Sequence, residues 1–129
     1  MYRLINNIDA YPTFLPWCRE ARILVQDEDE IRAMIHFSKH GIDTSFTTRN
    51  RLQKNKMIEM RLIEGPFHHL QGFWRFEPMG ETASKVSFDL EFELSNTLLS
   101  MAVGPVFSQI ANALVDAFVN RAREVYGYR

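Results

Sequence analysis

The side chains able to do covalent or metal chemistry are few in this chain, and their spacing works against them. The four histidines are His36, His40, His68 and His69. A metal site needs such groups to converge, as two histidines one helical turn apart do. Here His36 falls on the outward face of an alternating run, and His40, His68 and His69 fall in turn-like stretches. The adjacent pair His68–His69 reads as a solvated loop. There is no His-Glu-x-x-His, no Cys-x-x-Cys, no Gly-x-Ser-x-Gly and no glycine-rich phosphate loop. Cys18, the only cysteine, has Arg19 as its one local basic neighbour, too little to make a nucleophile. The sequence therefore points to no catalytic residue, no enzyme and no metal.

Two other groups carry more. "IDAYPTFLPWC" puts Tyr11, Phe14, Leu15 and Trp17 within seven residues, with Pro12 and Pro16 between them. Prolines so close exclude a long helix and a central strand, so a stiff aromatic segment must lie against apolar surface. It is expected at the mouth of a cavity. "TTRNRLQKNK" carries Arg49, Arg51, Lys54 and Lys56 in eight residues, on an outward strand face and a turn. Such a cluster suits RNA phosphates, against the plainer reading of a solvated strand face.

The elements that position these groups are legible from period. From Arg22 to Leu94 apolar residues alternate, most clearly in "KVSFDLEFEL", where Val86, Phe88, Leu90, Phe92 and Leu94 face in and Ser87, Asp89, Glu91 and Glu93 face out. Turn signals "QDED", "KHGID", "QKNK", "EGPFHH" and "PMGETAS" divide the run into six strands of an antiparallel meander, the first "RILVQ". Beyond Ser95–Asn96, one of which is the expected N-cap, the period becomes helical through Leu99, Val103, Phe107, Ile110, Leu114, Phe118 and Val125. Gly104–Pro105 is expected to kink or briefly break this helix. A short helix over "MYRLINNI" should end near Asn6–Asn7.

The fold class expected is α+β, with residues 1–129 as one domain: a curved antiparallel sheet of about six strands wrapped around a long C-terminal helix. A helix is about 10 Å wide, while six strands at about 4.8 Å spacing span more than 20 Å. The sheet must curl, and curling leaves room. Candidate cavity walls are Phe46, Met60, Trp74, Phe76, Phe88 and Phe92 from the sheet and Val103, Phe107, Ile110 and Leu114 from the helix. Thr48 and Asn50 alternate inward beside Phe46 and are placed to bond a polar head group.

Composition sets the outer limits. The chain has 129 residues, 46% hydrophobic and 24% charged, with a formal net charge of -1 that predicts neither a nucleic-acid nor an acidic-membrane partner from global charge alone. One cysteine excludes an internal disulfide and suits a reducing compartment. The run "LSNTLLSMAVGPVFSQIANALV" has the length of a bilayer span, but its hydroxyl and amide residues argue against one. A cytoplasmic protein, at most peripheral at a membrane, is expected.

"AYPTFLPWC", "TTRNRL", "EGPF" followed by "HL", "G" and "WRF", "DLEFELSN" and "RAREVYG" together resemble the coenzyme Q-binding protein family, whose bacterial branch includes the ribosome association toxin. Both lie in the START-like, polyketide cyclase and lipid-transport superfamily. The resemblance spans essentially the whole chain. It implies the helix-grip fold, a hydrophobic cavity and a non-catalytic binder of ubiquinone or a similar prenyl lipid in support of respiration. The toxin branch implies instead binding to the large ribosomal subunit and a block of subunit association. No DNA partner is implied. Family members also begin with a strand ahead of the position that matches Met1. Either that strand is encoded upstream of an internal methionine, or this protein lives with six. Without that strand the sheet edge is open, and the 129-residue chain is expected to self-associate through it or to be marginally stable.

Overall fold

The computed structural model describes residues 2–39, 41–80 and 83–126, so Met1, His40 and the side chain of Leu99 fall outside the description. A five-residue helix α1 (Tyr2–Asn6) leads into a 3-10 helix (Ile8–Thr13) that contains Pro12. Six strands follow: β1 (Cys18–Gln26), β2 (Glu30–Lys39), β3 (Ile42–Gln53), β4 (Met57–Glu64), β5 (Phe67–Met79) and β6 (Ala83–Leu94). They pair antiparallel in sequence order as one sheet, and α2 (Thr97–Tyr126) closes the described chain. The curved sheet and its long helix are those expected.

The alternation explains the burial. In β2 every second residue, Ile31, Ala33, Ile35 and Phe37, is buried, and Glu30, Arg32 and His36 lie on the other face. β1 starts at Cys18 rather than Arg22. Its register with β2 shifts between Cys18 and Glu20 and again between Ile23 and Val25, and those irregularities break the period-two pattern. β5 likewise starts at Phe67, so His68 and His69 stand exposed on a strand and not in a turn. The turn before it shrinks to Gly65–Pro66 because Gly65 adopts φ +155, where a Cβ would come within 2.7 Å of the Phe46 Cβ.

The long helix departs from expectation in three respects. It runs through Gly104–Pro105 without a break. Pro105 is exposed, so the Met101 carbonyl that loses its intrahelical donor stays within reach of water. Val125 is half exposed and not part of the packed face. Finally, Ser100–Val125 is long and apolar enough to cross a membrane by length and composition, contrary to the reading of its polar residues. Its packed face is narrow: Val103, Ile110 and Phe118 are buried, and most of the apolar window stays outside the core. The helix opens at Asn96, whose carbonyl accepts the Ser100 N–H at 3.0 Å.

Phe118 is the most enclosed residue on that face, 1% exposed, with the rings of Tyr11, Phe14 and Trp74 edge-on at 5.3–5.4 Å. Phe118→Ala should lower unfolding free energy by about 3–5 kcal/mol. Leu98→Ala, at a position 80% exposed, should change it by less than about 0.5 kcal/mol. Urea unfolding of both variants followed by tryptophan emission checks the assignment of the helix face.

Candidate functional site

The space left between sheet and helix is a partly open cavity of about 70 Å³, lined by side chains from the sheet, α2 and the N-terminal segment. Of the expected walls, Tyr11, Phe46, Thr48, Met60, Trp74, Phe107, Ile110 and Leu114 line it, as do Asn50 and Phe88. Ile5, Ile8, Ile35, Ile58, Leu70 and Phe118 also reach it. Their apolar spacing is visible in the sequence, but nothing there distinguishes a wall from ordinary core.

The other expected walls lie elsewhere. Phe76 packs edge-on against Tyr2 at 5.6 Å, so α1 takes up the space it would face. Phe92 sits between the rings of Phe67 and Phe107, beyond the end of the cavity. Val103 lines a separate groove of about 330 Å³ with Phe37, Ile42 and Phe67.

The aromatic N-terminal segment packs as a plug over one end of the sheet, and the groove it lines shares Ile110 and Leu114 with the cavity. Tyr11 faces the cavity, with its hydroxyl donating to the Ile5 carbonyl. Burial drives its phenol well above the ordinary range, with a smaller push from Cys18, so it stays neutral. Leu15 is fully buried. Phe14, Leu15 and Trp17 line another groove of about 370 Å³ that runs between the segment and Gln109, Ala113 and Ala117 of α2. On the side of β6, an edge strand of the sheet, the cavity is bordered by the partly buried Phe88, Leu90, Phe107 and Leu114. The opposite edge is partly covered, since the Asp9 carboxylate accepts the Ile23 N–H of β1 at 3.1 Å.

Polar groups in the cavity are few and specific. Thr48 and Asn50 are both buried, and the Thr48 hydroxyl donates to Asn50 Oδ1 at 2.9 Å. Asn6, which the sequence did not single out, places its side-chain oxygen in the wall, buried and with no hydrogen-bond partner. An unpaired buried acceptor costs about 1–3 kcal/mol, which a donor on a bound molecule would recover.

On the outer face the basic cluster is assembled as expected. Arg49 and Arg51 point outward from β3, and Lys54 and Lys56 sit in the β3–β4 turn. Strand register adds what the sequence hides: Arg32 stands opposite Arg49, and Arg49 opposite Arg61. His36 pairs with Asp43 on the same face, and this bond is the main reason the Asp43 carboxyl lies below its usual range. Among the described residues no three histidine, cysteine or acidic side chains are grouped to hold a metal ion.

Comparison with known proteins agrees with this architecture. A family model described as polyketide cyclase / dehydrase and lipid transport matches residues 1–119. The chain is 44% identical over 129 residues to the ribosome association toxin RatA of Escherichia coli K12, covering all of this chain and 82% of the relative. It is 24% identical over 132 residues to the mitochondrial coenzyme Q-binding protein COQ10 homolog B of Xenopus laevis, covering 98% of this chain and 54% of that one. Among solved structures, the Zhui aromatase/cyclase of Streptomyces sp. R1128 superposes with a TM-score of 0.78 at 17% identity, over 96% of this chain and 86% of the other, a likeness of fold alone.

The one thiol lies away from the cavity, beside the plug. Cys18 is 3% exposed, and its Sγ contacts the Glu20 carbonyl at 3.6 Å. Burial pushes its pKa up to about 11 from 9.0. The stability tied to this proton is intact below pH 9 and is lost as pH rises toward 11. At pH 8 a neutral disulfide reagent should therefore label Cys18 at least about tenfold more slowly in the folded chain than in urea. Equal rates would place the thiol in the open.

Proposed function

The chain belongs to the polyketide cyclase / dehydrase and lipid transport family, and on that premise we propose that it is a non-catalytic binding protein for ubiquinone or a similar prenyl lipid. The observation that carries this reading is the cavity itself: a wall of aliphatic and aromatic side chains with Asn6, Thr48 and Asn50 as its polar points. Low-polarity walls hold an isoprenoid tail, and a small number of amide and hydroxyl groups fix a ring. The buried Asn6 oxygen suits the hydroxyl of a reduced, quinol head group. The Xenopus relative bears the name of a coenzyme Q-binding protein.

At about 70 Å³ the cavity is smaller than the 300–1,000 Å³ usual for such ligands, so entry requires wall side chains to part. Met60 has the adaptable side chain for this, and Phe88, Leu90, Phe107 and Leu114 are only partly buried on the side of β6. The absence of catalysis is part of the proposal. Among the described residues the cavity wall has no histidine or carboxylate, and Cys18 lies outside it with its thiol pKa pushed up by burial.

A second reading, favoured by the 44% identity to RatA over the whole chain, is an action on ribosome association through the large subunit. Both readings describe a cytoplasmic protein that meets a membrane only at its surface, and one protein can serve both.

The quinone reading is tested by gentle purification from a quinone-producing host, organic extraction and mass spectrometry. A prenylated quinone should be recovered, and adding quinone should quench Trp74, which lines the cavity and stacks on Phe88 at 4.4 Å. Trp17→Phe should keep the quenching and Trp74→Phe should lose it. Neither lipid nor quenching would sink the reading. For the second reading, the protein should co-sediment with large ribosomal subunits at low salt and be released as salt rises. No co-sedimentation at any salt would exclude it.

A further inference from the structure

We propose that the outer face of the sheet is an RNA-docking surface, and that the row Arg32–Arg49–Arg61 across β2, β3 and β4 grips consecutive backbone phosphates. The inference rests on the ribosome-association reading for its biological setting and on strand register for its geometry. Arg32 faces Arg49, and Arg49 faces Arg61, so three guanidiniums stand side by side at strand spacing, about 4.8 Å apart at the backbone. Like charges directly opposite one another destabilise a sheet. A fold with no use for the row would gain by losing it.

The carboxylates beside the row hold it in place without saturating it. Glu30 reaches Arg32 Nε at 3.1 Å and Arg49 Nε at 3.5 Å, and Glu59 reaches Arg61 Nε at 2.6 Å. Each contact engages Nε, one of five N–H donors on a guanidinium. The side chains remain 45%, 35% and 60% exposed. Anchored in this way, the forks present the geometry that binds phosphate oxygens in pairs.

The surroundings select the partner. Arg51, Lys54 and Lys56 extend the positive surface to the β3–β4 turn, and the acidic turn Asp27–Glu30 bounds it at that same end, where the Asp29 carbonyl accepts the Leu52 N–H at 2.8 Å. On β5, where Gln71 faces Arg61 and Phe73 faces Glu59, the Arg75 guanidinium covers the Phe73 ring at 5.3 Å and presents a flat surface on which a base can stack. Cations in line beside an aromatic face complement a sugar-phosphate chain. On a protein whose net charge is -1, the cluster is local and owes nothing to overall charge.

The test is fluorescence anisotropy with a labelled RNA duplex over a salt series, with poly-glutamate as competitor. Three phosphates predict that log affinity falls against log salt with a slope of about -2 to -3. Arg32→Gln/Arg49→Gln/Arg61→Gln should weaken binding at least about tenfold at low salt and flatten the slope toward zero. Arg61→Gln alone, at the most exposed of the three sites, should lower the slope by about one and keeps the test open if the triple variant does not fold. Arg3→Gln/Arg123→Gln, on the two helices, should change nothing. Absence of salt-dependent binding by the wild type, unchanged binding by a folded row variant, or displacement of RNA by poly-glutamate would each overturn the proposal. The same variants are then sedimented with salt-washed ribosomal subunits. Duplex binding through the row without subunit binding would leave the row standing and sink the ribosome reading.

Discussion

One helix has to close a six-stranded sheet, and this mismatch of widths governs the rest of the molecule. Two aromatic contacts meet the demand. Phe107 is reached by Phe37 of β2, Phe46 of β3, Phe67 of β5 and Phe92 of β6, with ring centroids between 4.8 and 6.2 Å. Phe118 lies about 16 Å further along the helix and meets Tyr11, Phe14 and Trp74. Between these clamps the helix offers only the smaller Ile110, Ala111 and Leu114, and the cavity opens there. The space is thus a product of how the sheet is held.

The polar residues inside follow from the same arrangement. Thr48 and Asn50 satisfy each other on β3 in the interior. Asn6 is brought in only because α1 and the 3-10 helix fold back to fill the end that Phe118 closes. Of that segment Tyr11 is part of the wall, while Phe14, Leu15 and Trp17 line the adjoining groove. The outer face answers to separate rules. It has no core to fill, its charges are solvated, and its chemistry is set by which strands happen to be neighbours.

Much of this was legible in the chain because period and turn chemistry are local properties. The inward residues of β2, β3 and β6 and the packed face of α2 follow directly from spacing. What escaped depends on geometry across the sheet. Bulges hid the start of β1 and put His68 and His69 on β5. Phe76 and Phe92 share the inward face with Trp74, and only three-dimensional packing shows that one meets Tyr2 and the other Phe67. Arg49 was found from its neighbours in sequence, while Arg32 and Arg61 are joined to it only by register. Asn6 was missed for want of any pattern around a single amide.

The order of elements along the chain also carries a consequence for synthesis. The six strands are made before α2, so Phe46, Phe67, Trp74 and Phe92 emerge with nothing to cover them. At translation rates of roughly 5–20 residues per second, the thirty residues of α2 take on the order of seconds to appear. Throughout that interval the inner face of the nascent sheet is an open apolar trough. Covering this trough depends on the arrival of Phe107 and then Phe118, so the sheet is exposed to chaperone capture and misassembly until α2 has emerged.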